Sequence, residues 1–189
     1  KIADEFDTLL IFDEVQCGMS RSGSLFAYSL AHTEPDIMGL AKGIGGGFPV
    51  GAVLATERAA AGMVPGTHGS TYGGNPLAMA AANAVLDIML EPNFLDSVQE
   101  KGDYLKKELD RLVKSYPKVM ESVRGTGLML GIKCCVPNLD LMTAFRNHKL
   151  LTVVAGENVL RILPPLNVEI SELDEAIEII DKVCKKMPV

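Results

Sequence analysis

The chain has 189 residues, of which 48% are hydrophobic and 22% are charged, and its formal net charge is −6. This composition supplies enough apolar residues for a folded core, and the absence of a basic excess argues against a nucleic-acid partner. No apolar run approaches the ~20 residues of a membrane-spanning helix, so the sequence favours a cytosolic protein with no membrane partner.

The first predicted element is a strand over residues 8–12, an apolar run that ends in a pair of carboxylates beginning with Asp13. Residues 37–41 and 50–55 predict two further strands, and the earlier of these ends immediately before Lys42 and a cluster of glycines. Ligands of open α/β sheets bind beyond the carboxyl ends of the parallel strands. We therefore expect Asp13 and Lys42 to face one ligand, with Lys42 as a buried amine that approaches a flat aldehyde cofactor.

An ATPase is the competing interpretation, because an apolar strand that ends in Asp13 also suits a magnesium-binding acid. A phosphate-binding loop of that class needs its lysine after the glycines and directly before Ser or Thr, whereas Lys42 precedes most of its glycines. The dinucleotide fingerprint fails as well, because Phe48 occupies the sixth position of Gly43–Phe48. The order of the residues therefore argues against both kinds of phosphate loop.

The segment of residues 68–78, which includes Ser70 and Thr71, is rich in hydroxyl side chains and glycines. These donors lie just ahead of a helix predicted over residues 75–90, and this arrangement favours an anion such as phosphate. An ordinary polar loop with an N-cap is the alternative. The helix is apolar nearly all round, which predicts burial against the sheet or against a partner subunit.

The rest of the sequence predicts a smaller module, preceded by a helix that Pro117 ends. The last helix has Ser171 as its expected N-cap and an apolar face that extends to Met187. Between these two helices, the expected strands cover residues 119–124, 128–134, 150–154 and 159–163, with one helix over residues 139–148.

The cysteines and histidines give no sign of a metal site or a disulfide scaffold. The four cysteines include one adjacent pair, and their spacing suits neither a zinc site nor a cross-linked small domain. The three histidines are scattered without helical pairing. We therefore expect reduced thiols and no bound metal.

Five strings of the sequence resemble, in the same order, the class III family of pyridoxal-phosphate aminotransferases: FDEVQCGMSRSG, GLAKGIGGGFPVGAVLA, HGSTYGGNPLA, VRGTGLMLGI and AGENVLRILPPLNV. Within that family they are most similar to the acetylornithine aminotransferases. The resemblance implies an α/β protein of fold type I, with residues 1–92 as the C-terminal part of the large, cofactor-binding domain and residues 93–189 as a small α+β domain. Family members are about twice as long, so the chain is expected to be a C-terminal half.

The resemblance also implies a set of cofactor contacts. Lys42 corresponds to the lysine that binds pyridoxal 5'-phosphate covalently and then moves the substrate proton. Asp13 corresponds to the acid that keeps the ring nitrogen protonated. Val15 would pack on one ring face, and Gln16 would hydrogen-bond the ring hydroxyl.

Three further residues concern the substrate and a second subunit. Arg161 corresponds to the family arginine that grips the α-carboxylate of an amino-acid or 2-oxo-acid substrate. Ser70 and Thr71 correspond to residues that reach the cofactor phosphate of the neighbouring subunit, so a homodimer with shared active sites is implied. N-acetylornithine and 2-oxoglutarate, the pair used in arginine biosynthesis, are the favoured substrates. Ornithine, 4-aminobutyrate and a non-catalytic dimerising remnant stay open as alternatives.

The sequence departs from the family pattern at a few positions. Ser20 and Ser22 stand where glycine and threonine are usual, and Thr126 stands where a basic residue is common. None of the three touches the expected chemistry. Arg21 and Arg124 are left without an expected catalytic role.

Overall fold

The computed structural model describes residues 1–188, which fold as two compact units, Lys1–Leu95 and the part of the chain from Asp96 onward. The helices and strands of the first unit are α1 (Ile2–Glu5), β1 (Ile11–Asp13), β2 (Ile37–Leu40), β3 (Ala52–Ala55), α2 (Glu57–Ala60) and α3 (Pro76–Met89). Those that follow are α4 (Phe94–Ser115), which begins just before the boundary, β4 (Met120–Thr126), β5 (Met129–Cys134), α5 (Asn138–Asn147), β6 (Val153–Ala155), β7 (Val159–Ile162) and α6 (Ile170–Cys184).

In the first sheet, β2 lies in the centre, parallel to β1 and antiparallel to β3. The register pairs Asp13 with Gly39, so the carboxyl ends of β1 and β2 lie at the same edge of the sheet. β1 begins at Ile11, later than predicted. The reason is local, because the backbone N–H of Leu10 donates to the Asp36 side chain at 2.8 Å instead of to a neighbouring strand.

The start of α3 is the one that the sequence predicts. Asn75 caps the helix by accepting a hydrogen bond from the backbone N–H of Ala78 at 2.9 Å, and Pro76 occupies its first turn. Burial of α3 against its own unit is partial, because Leu77 is 65% exposed and Ile88 is 54% exposed, and burial against a partner subunit stays a prediction. Only one face of α3 is buried in its own unit.

The second sheet is antiparallel throughout, in the strand order β4-β5-β7-β6. Alternate side chains of β5 and β7 point into the core of the unit. The buried members of this set are Leu130, Ile132, Cys134, Leu160 and Ile162. Two tyrosine–aspartate hydrogen bonds reach α6, one from Tyr104 on α4 to Asp174 and the other from Tyr116, just beyond the end of α4, to Asp181.

The N-terminus of α6 differs from the prediction, because Glu169 is the N-cap and Ser171 lies inside the helix. The backbone N–H of Glu169 donates to the Glu172 carboxylate at 2.8 Å, and the Glu169 side chain accepts from the backbone of Glu172. These two reciprocal hydrogen bonds cap the helix, and the cap lies two residues before the predicted Ser171. The helix ends at Cys184, so Met187 lies beyond it.

Two negative findings hold for residues 1–188. No helix there is long and apolar enough to cross a membrane. Over the same residues, no group of three or more His, Cys, Asp or Glu side chains is placed to hold a metal ion. Each of the four cysteines is a free thiol.

Candidate active site

The candidate site lies at the sheet edge where β1 and β2 end. Because these strands are parallel neighbours, about 4.8 Å apart, Asp13 at the end of β1 and Lys42 just beyond β2 lie at the same edge. Gly39 is the register partner of Asp13, and a side chain built on it would meet nothing within 4 Å. Open space therefore lies beside the Asp13 carboxylate, at the same edge of the sheet as Lys42.

Asp13 is anchored by the turn that follows it. Its Oδ1 accepts a hydrogen bond from the backbone N–H of Val15 at 3.0 Å, which forms an Asx turn at the end of the strand. The Asp13 side chain is exposed, Val15 is half-buried and Gln16 is exposed. A carboxylate fixed in this way at the sheet edge can pair with a cationic group of a ligand.

Lys42 opens a short 3₁₀ turn, Lys42–Gly45, with a φ of +49°, in the left-handed region that side chains other than glycine rarely adopt. Such a conformation costs about 1–2 kcal/mol and is found disproportionately at functional sites. The prediction of a buried amine is wrong in this structure, because Lys42 is exposed. The glycines that follow it have no side chains with which to cover it.

Glu14, which has no role in the sequence-based assignment, is the buried carboxylate of this edge. It is only 2% exposed, and its two oxygens accept hydrogen bonds from the backbone N–H groups of Ala27 and Tyr28, each at 2.7 Å. Its own backbone N–H donates to the Gly39 carbonyl at 3.0 Å. Strand alternation offered a signal for this burial, because it places Glu14 on the same face as the half-buried Phe12.

The loop that follows Glu14 and contains Met19 and Ser20 packs beside the Lys42 turn. Two of its residues are left-handed, Met19 with a φ of +52° and Ser20 with a φ of +67°. A Cβ placed on Gly43 would lie 3.2 Å from the Cβ of Met19, so the loop closely approaches the residue after Lys42. Ser20 thus carries a side chain at a position where glycine would avoid backbone strain.

Ser70 and Thr71 lie ahead of α3 in a segment, residues 61–74, that is exposed throughout. The Ser70 hydroxyl accepts a hydrogen bond from the backbone N–H of Gly73 at 2.9 Å, which closes a tight turn. Both residues are therefore accessible to a group that lies outside their own unit.

Arg161 belongs to the second unit and lies within β7. Its register partners are Gly131 on β5 and Val153 on β6. Strand alternation directs it to the sheet face opposite the buried Leu160 and Ile162. The residue is half-buried there, and its planar guanidinium is suited to a carboxylate ligand.

Electrostatics beside Asp13 keep the neighbouring thiol protonated. Burial, followed by repulsion from the Glu14 carboxylate, raises the pKa of Cys17. The Cys17 thiol donates to the Asp13 carbonyl at 3.7 Å. Cys17 is therefore a packing residue of the turn and a poor nucleophile, since the thiolate is the reactive form.

The residues of this edge fit a pyridoxal-type cofactor on chemical grounds. Such a cofactor needs a primary amine for its aldehyde, a carboxylate for its ring nitrogen and free space for its flat ring. Lys42, Asp13 and the open space over Gly39 provide these three features at one sheet edge.

Comparison with known sequences gives matches over nearly the whole chain. The family described as aminotransferase class-III matches residues 1–184. Acetylornithine aminotransferase 1 of Bradyrhizobium diazoefficiens is 54% identical over 184 residues, which cover 97% of this chain and 45% of that protein. The chain therefore spans about half the length of the curated relatives that it matches.

Solved structures give a consistent result. The acetylornithine aminotransferase of Elizabethkingia anophelis superposes with a TM-score of 0.91 at 33% identity, covering 98% of this chain and 48% of that one. The ornithine delta-aminotransferase of Plasmodium falciparum gives a TM-score of 0.90 at 33% identity, over 97% of this chain and 48% of that one. The predicted fold class is confirmed.

Proposed function

The chain belongs to the class III aminotransferase family, and on this premise we propose that it supplies the C-terminal part of a pyridoxal-phosphate-dependent aminotransferase. The favoured reaction transfers the terminal amino group of N-acetylornithine to 2-oxoglutarate. Relatives named acetylornithine aminotransferase, at 54% and 48% identity in Bradyrhizobium diazoefficiens and Clostridium acetobutylicum, support this choice of amino donor.

The observation that carries the proposal is the shared sheet edge of Asp13 and Lys42. Lys42 would hold the cofactor aldehyde through its amine and, once the substrate displaces it, move the proton at the carbon that bears the reacting amino group. Asp13 would hold a proton on the ring nitrogen, Val15 would pack against the ring, and Gln16 would donate to the ring hydroxyl. When bound, the cofactor supplies an acceptor for the electron pair left at that carbon.

Arg161 would bind the α-carboxylate of the 2-oxo acid, which is attached to the carbon that receives the amino group. Its half-buried guanidinium can donate two parallel hydrogen bonds, which a carboxylate matches and a point charge does not. In this proposal residues 1–92 belong to the large domain, and residues 93–189 form the small domain.

We further infer that the enzyme is a homodimer with shared active sites. The exposed Ser70 and Thr71 would contact the cofactor phosphate held by a second copy. The exposed apolar face of α3, with Leu77 and Ile88, follows directly after this segment and suits burial in a subunit interface.

Two alternatives remain. Ornithine or 4-aminobutyrate could replace N-acetylornithine, and the likeness to the ornithine delta-aminotransferase of Plasmodium falciparum favours the first of these. The 189-residue chain by itself would be an inactive, dimerising core, because the exposed Lys42 amine has no cover that excludes water.

Borohydride trapping on Lys42 tests the cofactor assignment. The enzyme that contains this chain is loaded with pyridoxal phosphate, reduced and digested, and the modified lysine is located by mass spectrometry. We expect the label on Lys42, no label in Lys42→Ala, and an unchanged label in the exposed-site control Lys118→Ala. The 189-residue chain alone should give a weak label or none. A label on another lysine of the complete enzyme would contradict the assignment.

The amino donor is tested by steady-state kinetics with 2-oxoglutarate as the acceptor. We expect kcat/KM to be highest for N-acetylornithine. A higher value for ornithine or 4-aminobutyrate would favour that alternative donor, and the absence of turnover with all three would favour the non-catalytic role.

A further inference from the structure

Two asparagines, Asn138 and Asn158, clamp the hairpin that carries Arg161, and we propose that they are positioning residues for recognition of the substrate carboxylate. The inference rests on the proposed function, in which Arg161 binds that carboxylate. It adds two residues to which neither the sequence motifs nor the comparisons assign a role, and all of its contacts lie within the second unit.

The hairpin is formed by β6 and β7, and residues 156–158 connect the two strands. Glu157 and Asn158 both have a φ of +57°, so two successive residues other than glycine adopt the left-handed conformation. Each costs about 1 kcal/mol or more and persists only where surrounding contacts impose it. The turn is closed by its own hydrogen bond, from the backbone N–H of Val159 to the Gly156 carbonyl at 3.3 Å, and contacts with the rest of the unit give it further support.

Asn138 provides part of that support from the first turn of α5. Its side-chain N–H groups donate to the carbonyl oxygens of Ala155 at 3.1 Å and of Val159 at 2.9 Å. These two residues are register partners across β6 and β7, at the end of the ladder nearest the tip. Asn138 thus holds both strands at the point where they meet the tip.

Asn158 completes the clamp from the tip itself. Its side-chain N–H groups donate to the carbonyl oxygens of Cys134 at 2.7 Å and of Val136 at 2.9 Å. Its side-chain oxygen accepts a hydrogen bond from the backbone N–H of Asn138 at 2.8 Å. The two amides form one connected network, half-buried, between the tip and the end of β5. Leaving such a carbonyl unpaired costs about 1–3 kcal/mol.

A second set of contacts holds the tip from the exposed side of the sheet. Both terminal nitrogens of Arg124 donate to the Glu157 carboxylate at 3.2 Å, and Lys133 donates to the Glu157 carbonyl. The side chains of Arg124 and Glu157 are 52% and 75% exposed, and an exposed ion pair contributes only about 0–1 kcal/mol. The half-buried amides, which hold five hydrogen bonds, are therefore the stronger restraint on the hairpin.

The clamp acts on Arg161 through a short length of rigid strand. Arg161 lies two residues beyond Val159 on β7 and points to the same face. Burial of Leu160 and Ile162 already decides which face Arg161 occupies. The clamp adds a restraint on where the strand lies along its neighbours. Bidentate recognition needs that restraint, because a functional group must be held within about 0.5 Å of its productive position.

Asn158→Asp in the complete enzyme tests the inference. The aspartate keeps the side-chain shape and the accepting oxygen, but it replaces both donors with an oxygen that faces two carbonyls. We expect the KM for 2-oxoglutarate to rise about fivefold or more while kcat changes by less than about twofold, because only the carboxylate contact is displaced. The matched control is Asn147→Asp on the exposed end of α5, which should change neither constant.

Arg161→Lys, measured in the same assay, separates the role of the asparagine clamp from the role of Arg161 itself. If Arg161→Lys raises KM while Asn158→Asp leaves it unchanged, the clamp is overturned and the proposed function stands. If Arg161→Lys also leaves KM unchanged, the role of Arg161 fails and the clamp fails with it. Should Asn158→Asp not fold, Asn158→Gly and Asn138→Ser carry the same expectation without an added charge, and an unchanged KM in either overturns the inference.

Discussion

The backbone N–H of Tyr28 donates a 2.7 Å hydrogen bond to Oε1 of Glu14, and the adjacent N–H of Ala27 donates to Oε2 at the same distance. Hydrogen bonds to an ionised carboxylate are stronger than those between neutral groups. The loop also closes tightly around Glu14, because a Cβ on Gly18 would lie 2.8 Å from the Glu14 carbonyl oxygen. Glu14 is therefore the anchor of the loop that begins beside Asp13.

Glu14→Gln should destabilise the first unit by about 1–3 kcal/mol, because the new amide can accept only one of the two hydrogen bonds and its NH₂ group faces the other donor. The measurement is the free energy of unfolding in urea. Glu34→Gln, at an exposed position, is the matched control and should change this free energy by less than about 0.5 kcal/mol. An equal change in the free energy of unfolding for the two substitutions would contradict the anchoring role of Glu14.

Ser20→Gly should stabilise the fold by about 0.5–1 kcal/mol, because Ser20 has a φ of +67°, which glycine adopts without strain. The substitution also removes a buried hydroxyl that has no hydrogen-bond partner among residues 1–188. The midpoint of thermal unfolding should rise. The control is Ser29→Gly, at a position without a positive φ, where added chain entropy should lower the midpoint. A lower midpoint for Ser20→Gly would contradict the strain argument.

Several elements could be predicted from the sequence because local signals and tertiary packing agree. Asn75 followed by Pro76 is both a capping signal and the observed start of α3. The apolar runs that stop at Asp13 and ahead of Lys42 locate two strand ends, and parallel neighbours bring such ends to one edge. The chemical roles of these two residues stay predictions.

Other features depend on contacts that a sequence pattern does not specify. Ser171 and Glu169 both satisfy a capping rule, and only the geometry of the helix end selects Glu169. Burial of Lys42 was expected from its apolar flank, but no side chain of the glycine turn covers it. The role of Asn158 depends on carbonyls supplied by residues 134 and 136, which are distant along the chain.

The stability of the second unit should fall as the pH rises above about 9. Burial raises the pKa of Cys134 to about 11 and that of Cys184 to about 12, from an ordinary value of 9.0. Above pH 9 the unfolded thiols ionise while the folded thiols keep their protons. The unfolded state then binds fewer protons, and each thiol lowers the free energy of unfolding by up to about 1.4 kcal/mol per pH unit.

Urea unfolding at pH 8.0, 9.5 and 10.5 would measure this slope, with about 1 M increments of urea. Cys184→Ala should make the fall with pH shallower, and Ser122→Ala, at an exposed position, should leave it unchanged. Hydrogen bonds to Asp174 and Asp181 raise the pKa of Tyr104 and Tyr116, which adds a fall of the same sign to every variant. Equal slopes in the wild type and in Cys184→Ala would contradict the thiol contribution.

Asp13→Asn tests whether the cofactor requires the negative charge of the Asp13 side chain or only its shape. The amide can keep the hydrogen bond from the Val15 backbone, so the local turn and cofactor binding should survive. An amide is not anionic and does not hold a proton on the ring nitrogen, so kcat should fall by about a hundredfold or more. Cofactor absorbance measures retention, and steady-state kinetics measure the rate. Asp87→Asn, at an exposed position on α3, is the matched control. Normal turnover in Asp13→Asn with cofactor bound would exclude Asp13 as the acid of the site.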